Sequence, residues 1–419
     1  MCRAVIVLFR PVADLRRHLV WASALLGLAF TSGSAMAQTA PQKVLRISYQ
    51  ASESGFDPPQ LSDVVSTAVV ASLFDAPLTY DLLARPARVK PNTAAAMPVV
   101  NAEHTHFVFT LKPGILFSPD PAFKGQPREL VAADYVYSIK RYYDPKTRSP
   151  SFFHYQNAGL LGLSELRQKA LDTKTPFPYD TDVAGVRVLD RYRFELRTAK
   201  PAPRLPYVLA TAALSGAVAR EVIEADPERS MQRPVGTGPF TLASWTRSSR
   251  IVLAKNPLYR HGVHDEDAPA SDAVSQQIAQ QLRGRALPML DRVEIAIIEE
   301  AQPRWLAFLN DELDLLSVPP EFIDLAAPND RLAPNLAKRG VQMRQVVQPQ
   351  TRHVYFGMDH AMVGGNSAQQ VALRRAVALA YNAPREVALI RHGQMLPAQS
   401  VLPPMVSGYD PAQIGRAHV

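Results

Sequence analysis

Two histidine pairs are the side chains in this sequence whose spacing could bind a metal ion. His104 and His106 lie at the start of a candidate strand, where residues two apart share a face and could both reach one ion. The alternative is an exposed strand edge, since no cysteine or third histidine nearby completes a site. The pair therefore does not by itself predict a metal centre.

The second histidine pair lies in the polar run His261-Gly-Val-His-Asp-Glu266. A helix would bring its two imidazoles and two carboxylates to one face, which suits a divalent metal. The alternative is a solvated, flexible loop, because the surrounding segment is rich in Gln, Asp and Ala. The paired carboxylates Glu299-Glu300 and Asp311-Glu312 are interpreted as solvated ends of elements rather than acid/base pairs.

The sequence contains no short motif that marks a catalytic or nucleotide-binding site. Gly-x-Ser-x-Gly, His-Glu-x-x-His, the phosphate-binding loop and the dinucleotide fingerprint are all absent from it. We therefore expect neither catalytic residues nor a cofactor. This leaves a binding protein as the favoured class, with a hydrolase as a weaker alternative.

Composition agrees with a soluble globular protein of two or three domains. The 419 residues are 47% hydrophobic and 20% charged, and the 36 prolines indicate many turns and extended connections. The first 37 residues contain four arginines and one aspartate, a net charge of +3. Since the whole chain carries +8, the remaining residues carry +5. No basic run with interleaved aromatics occurs, so we do not expect nucleic acid as a partner.

The first 37 residues have the pattern of an export signal. Arg16 and Arg17 precede an apolar run from Leu19 to Phe30, and Ala35-Met-Ala37 is a small-x-small cleavage site. An uncleaved membrane anchor is the alternative. The pattern predicts ordinary secretion with cleavage after Ala37. The only cysteine, Cys2, would be lost, so disulfides and thiol chemistry are not expected.

The elements of the chain are organised around the stretch Arg233-Pro-Val-Gly-Thr-Gly-Pro-Phe-Thr-Leu-Ala-Ser-Trp245. Its two glycines predict a turn with positive φ, and the alternation after it predicts a strand. Ile251-Val-Leu253 predicts the second strand of a hairpin. A phosphate cradle is disfavoured, because no helix start follows the glycines.

Other elements are predicted on both sides of this hairpin. Strands are expected at 43–49, 106–111, 186–190, 192–196, 293–298 and 313–316, and helices at 66–74, 132–143, 304–310, 367–381 and 383–390. The strand-helix-strand order from 293 to 316 favours an α/β layer. A polar stretch from 260 to 285 reads as an insertion, and we found no internal repeat.

Several of these motifs, taken in order, resemble the family 5 extracellular solute-binding proteins, the peptide-binding components of ABC importers. The similar stretches are Phe56-Asp-Pro58, the tyrosine-rich helix ending at Asp144-Pro145, Val235-Gly-Thr-Gly-Pro-Phe240 with Trp245 and Asn256-Pro257, and the helix pair followed by Pro403-Pro404. Their order is more specific than any single motif.

The resemblance implies an α/β fold of the periplasmic-binding-protein type II kind, a Venus-flytrap with two lobes and an extra subdomain in lobe I. The implied organisation is a signal peptide at 1–37, a lobe I core at 42–75 and 217–347, its subdomain at 76–216, and the start of lobe II at 348–413. Lobe II is expected to be incomplete, and residues 414–419 to be a non-native tail resembling a translated sequencing adapter.

The resemblance also implies a ligand cleft between the lobes, lined by loops at strand ends. The residues at the matching positions are Ser62, Asp63, Val64, Ser151, Phe152, Phe153, Arg352 and Tyr355. The alternatives remain open: the phenylalanines and Tyr355 could be core residues, and Ser62 and Asp63 a helix cap. Ser151 stands where the family often has tyrosine, which puts a peptide preference in doubt. Arg352 and Tyr355 belong to an expected crossing strand, Arg352-His-Val-Tyr355.

The function implied is capture of an oligopeptide or dipeptide in the periplasm and its delivery to membrane permease subunits. A monomer is expected, with a peptide or other small solute as ligand. The alternatives are a binder of nickel, haem or sugar with the same fold, or a periplasmic hydrolase.

Overall fold

A computed structural model describes residues 2–10, 42–260, 262–398, 400–404, 406, 408–410 and 412. The strands are β1 (Cys2–Phe9), β2 (Val44–Tyr49), β3 (Leu78–Tyr80), β4 (Val89–Pro91), β5 (Val99–Val100), β6 (His106–Thr110), β7 (Val186–Asp190), β8 (Arg193–Arg197), β9 (Phe240–Thr246), β10 (Arg250–Lys255), β11 (Gly262–Val263), β12 (Ala286–Leu287), β13 (Arg292–Ile297), β14 (Leu315–Ser317), β15 (Gln342–Thr351) and β16 (Met395–Leu396). The helices are α1 (Val64–Leu73), α2 (Ala132–Tyr143), α3 (Phe152–Ala158), α4 (Leu163–Thr173), α5 (Leu205–Val208), α6 (Ala212–Ser215), α7 (Arg220–Ala225), α8 (Ala273–Leu282), α9 (Ala301–Leu309), α10 (Ile323–Ala326), α11 (Pro334–Lys338), α12 (Ala368–Ala380) and α13 (Ala383–Leu389).

The chain forms two compact units. Unit 1 comprises Met1–Ser48 and Glu300–Val419, and unit 2 comprises Tyr49–Glu299. The lobe and subdomain boundaries expected from the sequence stay a prediction. None of the helices in the described ranges is long and apolar enough to cross a membrane.

The core of unit 2 is an antiparallel sheet covered by the tyrosine-rich helix α2. The sheet has the strand order β5-β6-β8-β7, and Phe109 of β6 stacks on Phe194 of β8 with ring centroids 4.9 Å apart. Tyr135 and Ile139 of α2 are fully buried against this sheet, as their helical spacing predicts. The helix has the bounds expected from the sequence, 132 to 143.

Four of the five tyrosine hydroxyls of α2 and α3 form hydrogen bonds within the described residues. Tyr135 bonds Thr93 at 2.6 Å, and Tyr142 donates to the carbonyl of Ala213 at 2.9 Å. Tyr155 of α3 donates to the carbonyl of Leu214 at 2.8 Å. The aromatic core therefore leaves few unpaired polar groups, which would otherwise destabilise it.

The central hairpin of the sequence is confirmed as β9 and β10, and β13 pairs with β10 on its other side. The expected positive φ at its glycines is wrong: neither Gly236 nor Gly238 has one. A Cβ at Gly236 would lie 2.2 Å from the carbonyl oxygen of Leu73, and a Cβ at Gly238 2.5 Å from its carbonyl carbon. The glycines are needed because the turn lies against the last turn of α1, where Gly238 donates to the Leu73 carbonyl at 3.0 Å.

The polar stretch from 260 to 285 is folded, not a flexible loop. Strand β11 pairs with β12 and encloses helix α8. Arg260 forms an ion pair with the buried carboxylate of Asp75 at 2.6 Å, and Glu266 accepts a hydrogen bond from the backbone of Leu82 at 2.8 Å. Lys90 bonds Glu266 at 2.9 Å. These contacts fix the stretch on the β3-β4 region of unit 2.

Unit 1 is built around β1, the second to ninth residues of the chain. This strand pairs antiparallel with β14 on one side and β15 on the other, and β16 pairs with its first residues. Val5, Ile6 and Leu8 are buried. Arg10, the next residue, donates to the carbonyl of Phe308 at 2.7 Å and pairs with Asp311. The predicted signal run from Leu19 to Phe30 lies outside the described residues, and signal cleavage stays a prediction; cleavage after Ala37 would remove β1.

The two strands of the strand-helix-strand order from 293 to 316 pair in different sheets. The elements are β13, α9 and β14, and β14 pairs with β1 whereas β13 pairs with β10. The expected helix pair near the end of the chain is confirmed as α12 and α13. Ser367 and Gln370 form the capping box of α12, and Asn382 caps α13.

Candidate ligand-binding site

The loop after the first Asp-Pro turn carries three of the predicted site residues. Ser62 is exposed, and Val64, the first residue of α1, is 81% exposed. Asp63 is the N-cap of α1: one carboxylate oxygen accepts from the backbone of Ser66 at 2.7 Å, and the other from the Ser54 hydroxyl at 2.5 Å. The helix-cap interpretation therefore holds for Asp63, while Ser62 and Val64 face solvent within unit 2.

The hydrogen bonds to Asp63 decide its charge. Partial burial disfavours the carboxylate, but the bonds from Ser54 and Ser66 outweigh this effect and hold the pKa of Asp63 below its ordinary value. Asp63 is therefore ionised at neutral pH. Because both of its oxygens already accept bonds, it has little capacity left for a ligand.

The loop after α2 carries the next three predicted residues, and they differ in exposure. Ser151 is half-buried at the N-cap position of α3. Phe152 packs against the unit 2 core, with its ring 5.2 Å from that of Tyr143 and the Arg167 guanidinium 4.6 Å from its centroid. Phe153 is 51% exposed. Of the two phenylalanines, Phe152 is a core residue and Phe153 is available to a ligand.

The two Asp-Pro turns of unit 2 line one hollow of about 650 Å³. Its lining residues are Gln60 from the first turn and Pro145, Lys146, Thr147 and Arg148 from the second. Sequence reasoning selected the loops but not these residues. The signal was present in the motifs quoted for the family resemblance: Gln60 lies two residues after Asp57-Pro58, and the other lining residues are Pro145 itself and the three residues after it.

A buried ion pair fixes the two turns relative to each other. Arg141 of α2 donates both terminal nitrogens to the two oxygens of Asp57 at 2.7 Å, and both side chains are almost completely buried. Burial disfavours the guanidinium, but the attraction of Asp57 outweighs it and raises the pKa of Arg141. Asp57 also accepts from the Gln60 amide at 2.7 Å. The pair positions Gln60 beside the second turn, although its partners are distant in the sequence.

The remaining two predicted site residues belong to unit 1. The expected crossing strand at Arg352-His-Val-Tyr355 is wrong, because β15 ends at Thr351. Tyr355 is 81% exposed and is not a core residue. Arg352 lines a cavity of about 60 Å³ together with Arg391 and Gln394. Gln394 is buried there, and its side-chain carbonyl has no hydrogen-bond partner in the described part of unit 1.

The candidate metal and acid/base groups do not form such sites where they are described. His104 lies in the turn before β6, and His106 contacts Glu195 at 2.8 Å. Strand β6 is internal to its sheet, so the expected strand edge is wrong. His261 lies outside the described residues, and no cluster of three His, Cys, Asp or Glu side chains within the described ranges could hold a metal.

The carboxylate pairs are placed as ends of elements. Glu299 accepts a hydrogen bond from Ser52 at 3.1 Å, and Glu300 precedes α9 as its N-cap residue. Asp311 follows α9 and pairs with Arg339 at 3.0 Å. Both pairs therefore agree with the structural interpretation made from the sequence.

Comparison with known proteins gives matches over most of the chain. Residues 88–418 match the family model described as "Bacterial extracellular solute-binding proteins, family 5 Middle". The di/tripeptide-binding protein 2 of Pseudomonas aeruginosa is 22% identical over 92% of this chain and 63% of its own length. The periplasmic oligopeptide-binding protein OppA of Escherichia coli is 30% identical over 48% of this chain and 34% of its own length.

Solved structures show the same fold. The murein tripeptide binding protein MppA of Escherichia coli superposes with a TM-score of 0.63 at 18% identity, covering 89% of this chain and 62% of that one. The fold is therefore the α/β fold of type II periplasmic binding proteins, as expected. The chain spans between about a third and two thirds of the length of the relatives it matches. Because the family model covers well over half of its residues, the chain belongs to the family 5 bacterial extracellular solute-binding proteins, relatives of the peptide-binding components of ABC importers.

Proposed function

We propose that this protein captures oligopeptides or dipeptides in the periplasm and delivers them to the permease subunits of an ABC importer, without making or breaking bonds. The observation that carries the proposal is the family membership, together with relatives named as oligopeptide- and di/tripeptide-binding proteins. A relative named as periplasmic and the predicted export signal support the periplasmic location.

The exposed residues of the two Asp-Pro turns support a polar ligand with a flexible backbone. Gln60 and Thr147 offer an amide carbonyl and a hydroxyl, and Lys146 and Arg148 offer cations, on one hollow of unit 2. Val64 and Phe153 add exposed apolar surface in the same unit. Such a mixture favours backbone and terminal groups over a particular side chain, which suits peptides of varied sequence.

Binding is tested on the whole 419-residue chain purified from a periplasmic extract. Mass spectrometry of the ligands released on denaturation should give di- to pentapeptides, and calorimetry should give saturable binding of synthetic tripeptides. The double variant Lys146→Ala and Arg148→Ala should weaken tripeptide binding by about two- to tenfold, because exposed charges each contribute modestly. Lys124→Ala, an exposed lysine outside the hollow, is the matched control.

Two results would overturn the proposal. One is release of nickel, haem or a sugar instead of peptide. The other is turnover of peptide or ester substrates by the purified protein, which would revive the hydrolase. Delivery to a permease is tested separately, by the loss of labelled tripeptide uptake when the gene is deleted from its bacterium and its return on complementation.

A further inference from the structure

Unit 2 contains a larger hollow that continues from the smaller one and extends beyond the predicted ligand loops. Its volume is about 780 Å³, within the range of small-molecule sites. It shares Gln60, Pro145, Lys146 and Thr147 with the smaller hollow and extends along α2 and α4 to the residues around α7. None of the eight residues predicted as ligand contacts lines it.

One wall of this larger hollow is apolar and partly exposed. Leu171 of α4 is 46% exposed, and the other apolar lining residues include the buried Phe177, the half-buried Ile223 and three prolines. Exposed leucine beside aromatic and proline rings is costly in water and gains free energy when a ligand covers it. The wall is large enough for one apolar side chain or ring, but it is not a protein-sized interface.

The other lining groups are polar and include both signs of charge. The ammonium groups of Lys146 and Lys174 and the carboxylate of Glu228 have no hydrogen-bond or ion-pair partner in the part of unit 2 that the structure describes. Asp144 accepts from the Tyr179 hydroxyl at 2.7 Å but is neutralised by no cation there. The two cations and two carboxylates balance, so the ligand that complements them is neutral overall and carries both charges.

Tyr137 provides an independent sign of a ligand. Its side chain is 93% buried and lines the hollow, yet among the described residues its hydroxyl has no hydrogen-bond partner. Burial raises the pKa of Tyr137 to about 12, so the hydroxyl stays protonated and can donate. The ring is held by Tyr179 at 4.9 Å and by Arg220 at 5.6 Å. A hydroxyl that is held in place at the wall of the hollow, with no acceptor from the protein, can donate to a ligand that brings a carboxylate.

We infer that this hollow binds a free α-amino acid with an apolar side chain. Its carboxylate is held by Lys146, Lys174 and Tyr137, its ammonium by Asp144 and Glu228, and its side chain lies on Leu171. The site belongs to unit 2 alone. The inference does not rest on the proposed peptide capture, and it adds a second ligand class to the protein.

The test uses three probes that share one phenyl body and differ only in charge, titrated by calorimetry into the whole chain. L-Phenylalanine carries both charges, 3-phenylpropanoate only the carboxylate, and 2-phenylethylamine only the ammonium. L-Phenylalanine should bind with a Kd of about 1 mM or tighter, and several-fold more tightly than either single-charge probe. The affinity is expected to be modest because the charged groups are partly solvated.

Single substitutions distinguish the contacts to the ligand's carboxylate from those to its ammonium group. Lys174→Ala should weaken the binding of L-phenylalanine and 3-phenylpropanoate about two- to fivefold and leave the binding of 2-phenylethylamine unchanged. Glu228→Gln should weaken the binding of 2-phenylethylamine and leave that of 3-phenylpropanoate unchanged. Leu171→Asp should abolish binding of all three. The matched controls on α4, which lie outside the hollow, are Lys169→Ala and Glu165→Gln, and they should change nothing.

The hydroxyl is tested by Tyr137→Phe, which keeps the ring and its packing. This variant should weaken both carboxylate probes and not the amine, whereas a purely structural role would alter all three equally. Three results would each overturn the inference. They are no saturation by L-phenylalanine up to about 10 mM, equal affinities for the three probes, and equal effects of Lys174→Ala and Lys169→Ala on binding. Tripeptide titrations of the same variants keep the outcomes separate: peptide binding lost with L-phenylalanine binding intact would contradict only the proposed function.

Discussion

The two units of this protein are stabilised in different ways. Unit 2 has a continuous aromatic core in which the tyrosine hydroxyls are bonded, and it contains the buried ion pairs Arg141–Asp57 and Arg260–Asp75. In unit 1 the helices α12 and α13 have no buried residue, and Leu379 and Leu389 are 77% and 64% exposed. The order in unit 1 comes mainly from one sheet, whose central strand is β1.

This difference shows that local signals can form an element without a core behind it. The capping box of Ser367 and Gln370 and the Asn382 cap satisfy the first turns of α12 and α13 within the local sequence. Helix α2 also has a local cap, in which the Asp134 carboxylate accepts from the Val131 backbone at 2.8 Å, but nearly all of its residues are buried as well. We therefore expect substitutions at single buried residues to disrupt unit 2, and changes to β1 to disrupt unit 1.

The largest effect is expected from deletion of residues 2–10. Val5, Ile6 and Leu8 are buried, and at about 1.5–3 kcal/mol for each side chain their loss removes roughly 5 kcal/mol or more. Strands β14 and β15 would also lose a shared partner. Hydrogen exchange measured by mass spectrometry should show lost protection at 315–317 and 342–351, with 106–110 and 193–197 in unit 2 unchanged.

Two single substitutions in β1 give reference values for the effect of the deletion. Leu8→Ala should cost about 2–5 kcal/mol because Leu8 is fully buried, and the half-buried neighbour Val7→Ala should cost less. Unchanged protection of β15 in the deletion would show that unit 1 does not depend on β1. That result would also agree with removal of these residues by signal cleavage after Ala37.

The next largest effect is expected within unit 2, for Asp57→Ala. This change leaves the guanidinium of Arg141 buried without a counter-ion, which typically costs about 3–5 kcal/mol. Asp182→Ala, which breaks the exposed pair with Arg187, is the matched control and should cost less than about 1 kcal/mol. Urea unfolding followed by the fluorescence of Trp245, with Trp21 and Trp305 replaced by Phe, reports unit 2. Equal costs for the two substitutions would contradict a structural role for the buried pair.

The sequence predicted most of unit 2 because its elements have local patterns. Helix α2, the β9-β10 hairpin and the β7-β8 pair all follow from spacing and turn residues. The Arg141–Asp57 pair could not be predicted in this way, since its partners are 84 residues apart and neither carries a local signal. Gly236 and Gly238 are a similar case: the glycines were noticed, but their reason lies in the distant backbone of Leu73.

Unit 1 and the candidate site were less predictable for different reasons. The apolar run Ala4-Val-Ile-Val-Leu-Phe9 lies within a stretch whose overall pattern is that of an export signal, so its strand pairing was not foreseen. In the site, family resemblance located the loops, but the residues lining the hollow, such as Gln60 and Lys146, depend on how Asp57 and Arg141 join the two turns. Tertiary packing decides which side of a loop is accessible.

A moderate effect is expected at the glycine turn of unit 2. In Gly238→Ala the new Cβ would meet backbone atoms at 2.5 to 2.7 Å, so α1 or the turn must shift, at a cost of about 1–3 kcal/mol. Gly262→Ala is the matched control, because a Cβ there meets nothing within 4 Å and its φ is ordinary. Thermal unfolding of both variants should separate them, and equal melting temperatures would show that the close approach to Leu73 is not needed.

The smallest effect concerns two helix caps, one in each unit. Replacing an N-cap side chain by Ala typically costs about 1 kcal/mol, so we expect similar losses for Asp63→Ala in unit 2 and Ser367→Ala in unit 1 at pH 7.

The two caps differ in their response to pH. The pKa of Asp63 is lower in the folded protein than its ordinary value of 3.8, so its contribution is complete above that value. It is lost as the pH falls below about 4 through the lower folded pKa. Ser367 does not titrate, so the cost of its replacement should be the same at pH 7 and pH 3, whereas the cost of Asp63→Ala should fall over that range. Urea unfolding of both variants at the two pH values measures this, and a cost of Asp63→Ala that stays constant would mean that the cap does not depend on the carboxylate charge.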